Sequence, residues 1–465
     1  MRKVTFLFIL SLSISCFSQN KQLLYNFTTI PQSLMTNPGA DFKYKWYAGV
    51  PLVSGFSANI GSSGFSAFDL FANDGVDFNT KLRNIVFSVS RNDKILINEQ
   101  LEIFNGGFKI NRDYDDPMYL SFGMYQELDF LLYMPKDLAI LALYGNRDYL
   151  GKVFNLGDAN VKGELLSVFH LGINKKINQK VILGARGKIY SSIFNIYSTK
   201  NSGYLYTVPA ENEFYKQVIA SNLNVNTSGF TNYTENYSGN AASDIQKKTL
   251  LGGNLGLGFD FGFTYYPKDN IQITASLVDV GFIRHTKQVE NYSYKGIYVQ
   301  EGVQPDFINP SLSNESLGDK FSEAIPSITY SKNYTSWRPI KLNASYQYSF
   351  GESENSGCNC NGNEMVYMNS IGAQLYMMTT PRIPIMAITA YYRKRISDAL
   401  ELKGTYTLDS FSSKNIGLGL STTLSKVNFY FLADNLLEYR DLSKAKSLSF
   451  QLGLNVIFAD KNNLD

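Results

Sequence analysis

This chain has little of what enzymes and soluble receptors usually carry. Among 465 residues there are 3 cysteines, 2 histidines and 2 tryptophans. No Ser or Cys nucleophile motif accompanies His170 or His285, so no enzyme and no cofactor are expected. Charge of one sign is also missing. The net charge is +3, which gives no reason to expect a nucleic-acid partner. Past the N-terminus no apolar run approaches the ~20 residues of a spanning helix. The mean hydropathy is −0.16, which excludes a helical membrane protein.

What the chain does have is alternation. From Leu251 to Tyr265 the odd positions are Leu, Gly, Leu, Leu, Phe, Phe, Phe and Tyr, and the even ones are small or polar. Successive side chains of a strand point to opposite faces. One face is therefore apolar and the other polar, over a length beyond the ~5–6 residues of a mean soluble strand. The pattern recurs near 181–193, 271–277, 340–350, 400–406, 416–421, 427–432 and 450–458. Phe and Tyr number 32 each, enough for aromatic girdles at two membrane interfaces. The fold class expected is all-β, a transmembrane antiparallel β-barrel of about 14 strands. Outward positions include Leu255, Phe259, Leu342, Tyr346 and Leu454.

The connections alternate in length. Tyr266 to Asn270 and Asn174 to Lys180 read as tight turns, whereas 195–249 and 286–337 are long and rich in Asn, Ser, Tyr and Thr. Short periplasmic turns and long extracellular loops are the rule for such barrels. Parity then puts both long segments outside and the C-terminus in the periplasm. Residues 62–100 are expected to be an extracellular excursion with some helix.

Arg2 and Lys3, an apolar stretch from Val4 to Ile14 and Ser15 to Ser18 read as a signal peptide, cleaved to start the mature chain at Gln19. The alternative is a lipoprotein acylated at Cys16, against which Ser13 occupies the position where such a motif takes Leu. The expected organisation is a signal peptide over 1–18, a periplasmic or plug segment over 19–42, a barrel over 43–458 and a periplasmic tail over 459–465. Cys358 and Cys360 are too close for an unstrained disulfide and lack further zinc ligands, so a polar turn is expected there.

Charged residues on the polar faces are Arg186, Lys188, Asp260, Lys341, Glu401 and Lys403. These candidate lumen-lining residues would either form a selectivity ring or pair with each other and with a plug. Net positive charge among Arg186, Lys188, Glu401 and Lys403 would favour anionic solutes. The glycines from Gly252 to Gly262 are read as admitting a plug or loop close to the wall. Arg393, Lys394 and Arg395 are expected to snorkel to head groups at the periplasmic end.

Several motifs bear a family likeness. Asn37-Pro38-Gly39 resembles the Asn-Pro-Ala early in fatty-acid-transporter-like barrels. Gly106 to Lys109, Tyr119 to Gly123, Pro135 to Leu138 and Gly145-Asn146 recur in that order in an uncharacterised barrel family of Bacteroidota. So do Val278 to Ile283, Ala433 to Leu436 and Leu452 to Phe458, while His285 stands where an aromatic is usual. That family is similar in plan to the 14-stranded fatty-acid transporters and to the shuttle barrel of the type IX secretion system. The resemblance implies a Gram-negative outer-membrane location and no particular activity.

The expected function is a passive conduit or binding barrel for small, hydrophobic solutes. The alternative is a non-transporting scaffold of a secretion or outer-membrane assembly complex, docked through the long loops. Expected partners are outer-membrane lipid and, during insertion, the barrel-assembly machinery, which would read the aromatic-ended last strand.

Overall fold

Alternation over fifteen or more residues can be satisfied only if every strand edge is paired, and closure achieves that. The computed structural model describes residues 22–110, 118–209, 216–230, 240–301, 327–352, 367–409, 411 and 414–459. The expected signal peptide, Cys16, Cys358, Cys360 and the tail after Ala459 lie outside them.

In chain order the strands begin with β1 (Tyr44–Gly49), β2 (Phe56–Ser62), β3 (Lys94–Lys109), β4 (Met118–Tyr133), β5 (Val153–Asn155), β6 (Val161–Asn178) and β7 (Val181–Ser198). Next come β8 (Ser202–Val208), β9 (Lys216–Ser228), β10 (Asn254–Lys268), β11 (Ile271–His285), β12 (Val289–Glu301), β13 (Ser327–Tyr330) and β14 (Tyr334–Trp337). Last are β15 (Lys341–Glu352), β16 (Tyr367–Met378), β17 (Ile385–Ser397), β18 (Leu400–Leu408), β19 (Asn415–Leu424), β20 (Val427–Asp434) and β21 (Ser447–Ala459).

The strands make a closed antiparallel barrel of 14 staves. Two staves are broken. β1 and β2 share one stave between β21 and β3, and β14 and β15 share another beside β11. The seam closes where Trp46 pairs with Phe458, their rings stacked at 3.7 Å. Parity is as the alternation requires. Phe259 is 52% exposed on the outer face while Asp260 is fully buried on the inner one.

Two boundaries differ from expectation. β10 starts at Asn254 rather than Leu251, because Lys248–Gly252 is a helical turn that reverses at Leu251, φ 67°. β3 starts at Lys94, inside the stretch 62–100 expected to be an extracellular excursion. Within the long polar segments, much of the described chain forms strands rather than loops. β5, β8, β9, β12 and β13 pair in that order into an outer sheet that continues from the wall where β9 pairs with β7, at the end of the barrel with the long connections, here called the outer end. With the helices Phe78–Ser88 and Lys136–Tyr144 they bury Val86, Ile140, Phe154, Leu156, Leu205 and Ile219 as a separate core. No helix among the described residues is long and apolar enough to cross a membrane.

Candidate functional site: the filled lumen

Residues 22–42 lie inside the inner half of the barrel. Polar wall and polar strap meet through hydrogen bonds, since an unpartnered polar group there would cost roughly 1–3 kcal/mol. Asn26 donates to Thr274 and Ser345 at 3.0 and 2.9 Å. Gln32 donates to Glu102 and Asn455 at 3.0 and 2.9 Å. The wall donates back: Ser276 to the Thr36 carbonyl at 2.6 Å, Thr264 to the Gly39 carbonyl at 2.8 Å, and Asn174 to the carbonyls of Pro38 and Ala40 at 2.8 Å. Apolar strap residues sit among wall residues. Leu23, Leu24, Phe27 and Ile30 pack on Tyr430 and Leu432, and Met35 packs on Tyr125, Leu166, Val168, Tyr190 and Ile283. Burial pushes the Tyr25 hydroxyl above its ordinary range.

The strap needs bare backbone in the wall. A Cβ on Gly184 would lie 2.1 Å from the Pro38 carbonyl, and one on Gly262 would lie 2.0 Å from Asn37 Oδ1. Gly256 and Gly258 serve other neighbours: Phe282 on the adjoining strand, and Tyr190.

The six inward charges all have partners. Lys403 donates to the carbonyls of Gln22, Leu23 and Tyr25 at 3.3, 3.1 and 2.6 Å. Glu401 pairs with Arg393 Nε at 3.1 Å, and Arg393 also donates to the Asn26 carbonyl. Arg393 therefore points into the lumen rather than snorkelling outward, because it shares the inward parity of Thr389 and Tyr391. Arg186 donates to the Leu34 carbonyl at 2.6 Å and pairs with Asp260 at 3.4 Å. Lys188 bridges Asp260 and Asp279 at 2.8 and 2.6 Å, and Lys341 bridges Asp279 and Glu127 at 3.0 and 3.2 Å.

Arg338 extends this chain of ion pairs to Glu127, Asp129 and Glu164 at 2.9, 2.7 and 3.1 Å. Glu164 lies 3.9 Å from His285, whose ring nitrogens meet Ser228 of β9 and Ser336 of β14, both at 2.8 Å. A continuous ladder of ion pairs thus runs from Glu164 on β6 to Arg186 on β7, which ends on the Leu34 carbonyl of the strap. His170 faces the same interior beside Tyr125, with ring centroids 5.9 Å apart.

One bulge and one strand break build the ladder. Leu277 pairs with Phe261 and Val280 with Phe259, so two residues of β11 oppose Asp260 alone. Asp279, at φ 62°, is turned inward and its N–H donates to Asp260 Oδ1 at 2.8 Å. Arg338 occupies the break between β14 and β15, where its N–H donates to the Gly281 carbonyl. Sequence reasoning missed both. Strict alternation from Leu277 would put Asp279 on the apolar outer face, and that misfit was the available signal. Arg338 lies between two strand halves and obeys neither period.

Toward the outer end the lumen becomes apolar. Leu96, Leu131, Tyr133, Tyr376, Met378, Ile385, Ala387 and Phe411 pack together there. Between this neck and the strap is a cavity of about 40 Å³, touched by Met35, Tyr125, Lys188, Asp279, Lys341 and Tyr376. That volume holds water molecules and no larger solute.

Known structures with a similar plan include the Pseudomonas putida toluene transporter TodX, 9% identical over 92% of both chains, TM-score 0.38. The Ralstonia pickettii toluene transporter TbuX is 10% identical over 92% of this chain and 94% of its own, TM-score 0.39. A Pseudomonas aeruginosa FadL homologue is 11% identical over 96% of this chain and 99% of its own, TM-score 0.40. No curated protein matches the sequence. A family model does match, over residues 38–434, and the chain belongs to that family, DUF5723, a family of unknown function.

Proposed function

We propose that this is an outer-membrane barrel closed by its own N-terminal strap, a conduit or binding barrel through which small solutes pass only when the strap moves. The observation that carries this reading is the strap itself. It fills the inner half, and Arg186, Lys188, Asp260, Lys341, Glu401 and Lys403 are all engaged, so these six form no unpaired ring of charge to select ions. The apolar neck of Leu96, Leu131, Tyr376 and Met378 supports apolar solutes over the anionic ones that net positive charge alone would favour. The outer belt of Leu255, Leu257, Phe259 and Phe261, each 48–52% exposed, suits lipid.

The scaffold reading has one observation in its favour. The outer sheet has its own buried core, and Ile297 on β12 is 69% exposed, more than a bare pore needs. Purification in mild detergent followed by native mass spectrometry separates the two. A barrel that carries a bound apolar small molecule supports the conduit, and a stoichiometric protein partner with no such molecule supports the scaffold.

A further inference from the structure

One arginine of the wall points away from the lumen. Arg284 is the last residue but one of β11 and is exposed. Ile283 and His285 on either side of it are fully buried on the inner face, so alternation puts Arg284 on the outer face with Phe282. The register agrees. Phe282 pairs with Trp337 and Arg284 with Thr335, and the exposed rings of Phe282 and Trp337 lie 5.7 Å apart. A strand crosses the hydrocarbon in about 9–11 residues. A span begun at Ile271 is therefore complete before Arg284, which sits at the outer interface beside the aromatic girdle.

Two lysines converge near it. The Lys287 ammonium donates to the Gly252 carbonyl at 2.8 Å, which leaves further ammonium hydrogens free. The Lys247 carbonyl lies 2.5 Å from where a Cβ of Gly252 would stand, so the helix Ala241–Lys247 also ends at that glycine. Among the described residues no carboxylate forms an ion pair with Arg284, Lys287 or Lys247, and Asp244, the one carboxylate of that helix, interacts with Lys248. Leu250 and Leu251, both exposed, follow the helix, and Leu255 of the outer belt is next in register to Arg284. Cations without carboxylates thus crown an apolar, lipid-facing patch at the outer rim.

We propose that Arg284, Lys287 and Lys247 form a site for the lipid A phosphate of one lipopolysaccharide molecule. This rests on the reading of the chain as an outer-membrane barrel whose long connections face outward. An outer leaflet presents phosphate at this depth and acyl chains below it. Arg284 supplies the planar fork that grips phosphate through two parallel hydrogen bonds, and the lysines add point charges. Phe282, Trp337 and Leu255 meet the acyl chains. Phospholipid of the inner leaflet does not reach this rim.

The test titrates the delipidated full chain, in mild detergent, with purified lipid A and with lipid A stripped of its phosphates, and counts bound lipid by native mass spectrometry. Wild type should bind one lipid A in preference to the stripped form. Arg284→Gln should bind it about fivefold more weakly, Arg284→Lys should recover most of that loss, and Lys180→Gln, in the turn at the inner end, should match wild type. Equal binding by wild type and Arg284→Gln overturns the site, and so does equal binding of the stripped lipid. The outward placement is tested by itself with an impermeant maleimide on whole cells, using Lys295→Cys in a chain with Cys358 and Cys360 replaced by Ser. No labelling overturns that placement and the site with it. Labelling without a preference for phosphate overturns the site alone.

Discussion

The guanidinium of Arg186 donates to the backbone carbonyl of Leu34 at 2.6 Å, although 152 residues separate them. A charged side chain of the wall holds the strap by its backbone, so the grip does not depend on the strap's side chain at that point. Lys403 repeats the device with Gln22, Leu23 and Tyr25. The strap is thus held from two sides of the barrel, by cations on β7 and β18.

Lys403→Met removes the shared donor of three carbonyls. Hydrogen bonds to charged groups contribute about 1.5–3 kcal/mol. Amide exchange of residues 22–27 should rise strongly while exchange in β18 and β19 stays slow. Unchanged protection of 22–27 would show that Lys403 does not hold the strap.

Gly184→Ala puts a methyl against the Pro38 carbonyl, a clash with backbone that cannot turn aside. Overpacking of this kind costs about 1–3 kcal/mol. The barrel should still form, with new protease cleavage confined to residues 36–42. Cleavage within β7 or β10 instead would mean that the substitution damages the wall.

Asp279 joins Lys188 and Lys341 from a left-handed backbone conformation. Asp279→Ala leaves Lys188 with Asp260 alone and Lys341 with Glu127 alone, and keeps a φ that alanine tolerates poorly. Breaking a buried pair costs about 3–5 kcal/mol, so the urea midpoint for unfolding in micelles should fall markedly. Asp279→Asn keeps hydrogen-bonding atoms and suits the φ, and should fall less. Equal midpoints for the two variants would contradict the ladder's contribution.

Phe458 stacks on Trp46 across the closing seam, with Lys426 4.7 Å from its ring. Phe458→Asp should lower the amount of protein in the outer-membrane fraction several-fold. A charge near the membrane interface costs only ~0–1 kcal/mol in transfer, so the loss would come from failed recognition and closure. Membrane levels equal to wild type would remove the last strand as an assembly signal.

The wall was legible in the sequence because a period of two survives wherever one face meets lipid and the other a polar interior. Leu255 to Phe261 and Tyr346 to Phe350 betray their facing without any partner known. The interior was legible only as a list of charges. Which of them meet depends on strands far apart in the chain, such as Glu127 with Arg338, and on bulges that alternation does not encode. The strands of the outer sheet were hidden for a different reason. β8 and β9 carry polar residues on both faces, so composition alone made them look like loop. In the strap no period exists, and the glycines facing it at 184 and 262 were its clearest trace.

The central claim is that residues 22–42 are the gate. Single-barrel conductance in planar bilayers, for wild type and for a chain lacking residues 22–42, tests it most directly. Wild type should insert and stay silent, and the shortened chain should conduct steadily. A wild type that conducts steadily, or a shortened barrel shown to be inserted yet silent, would contradict the claim.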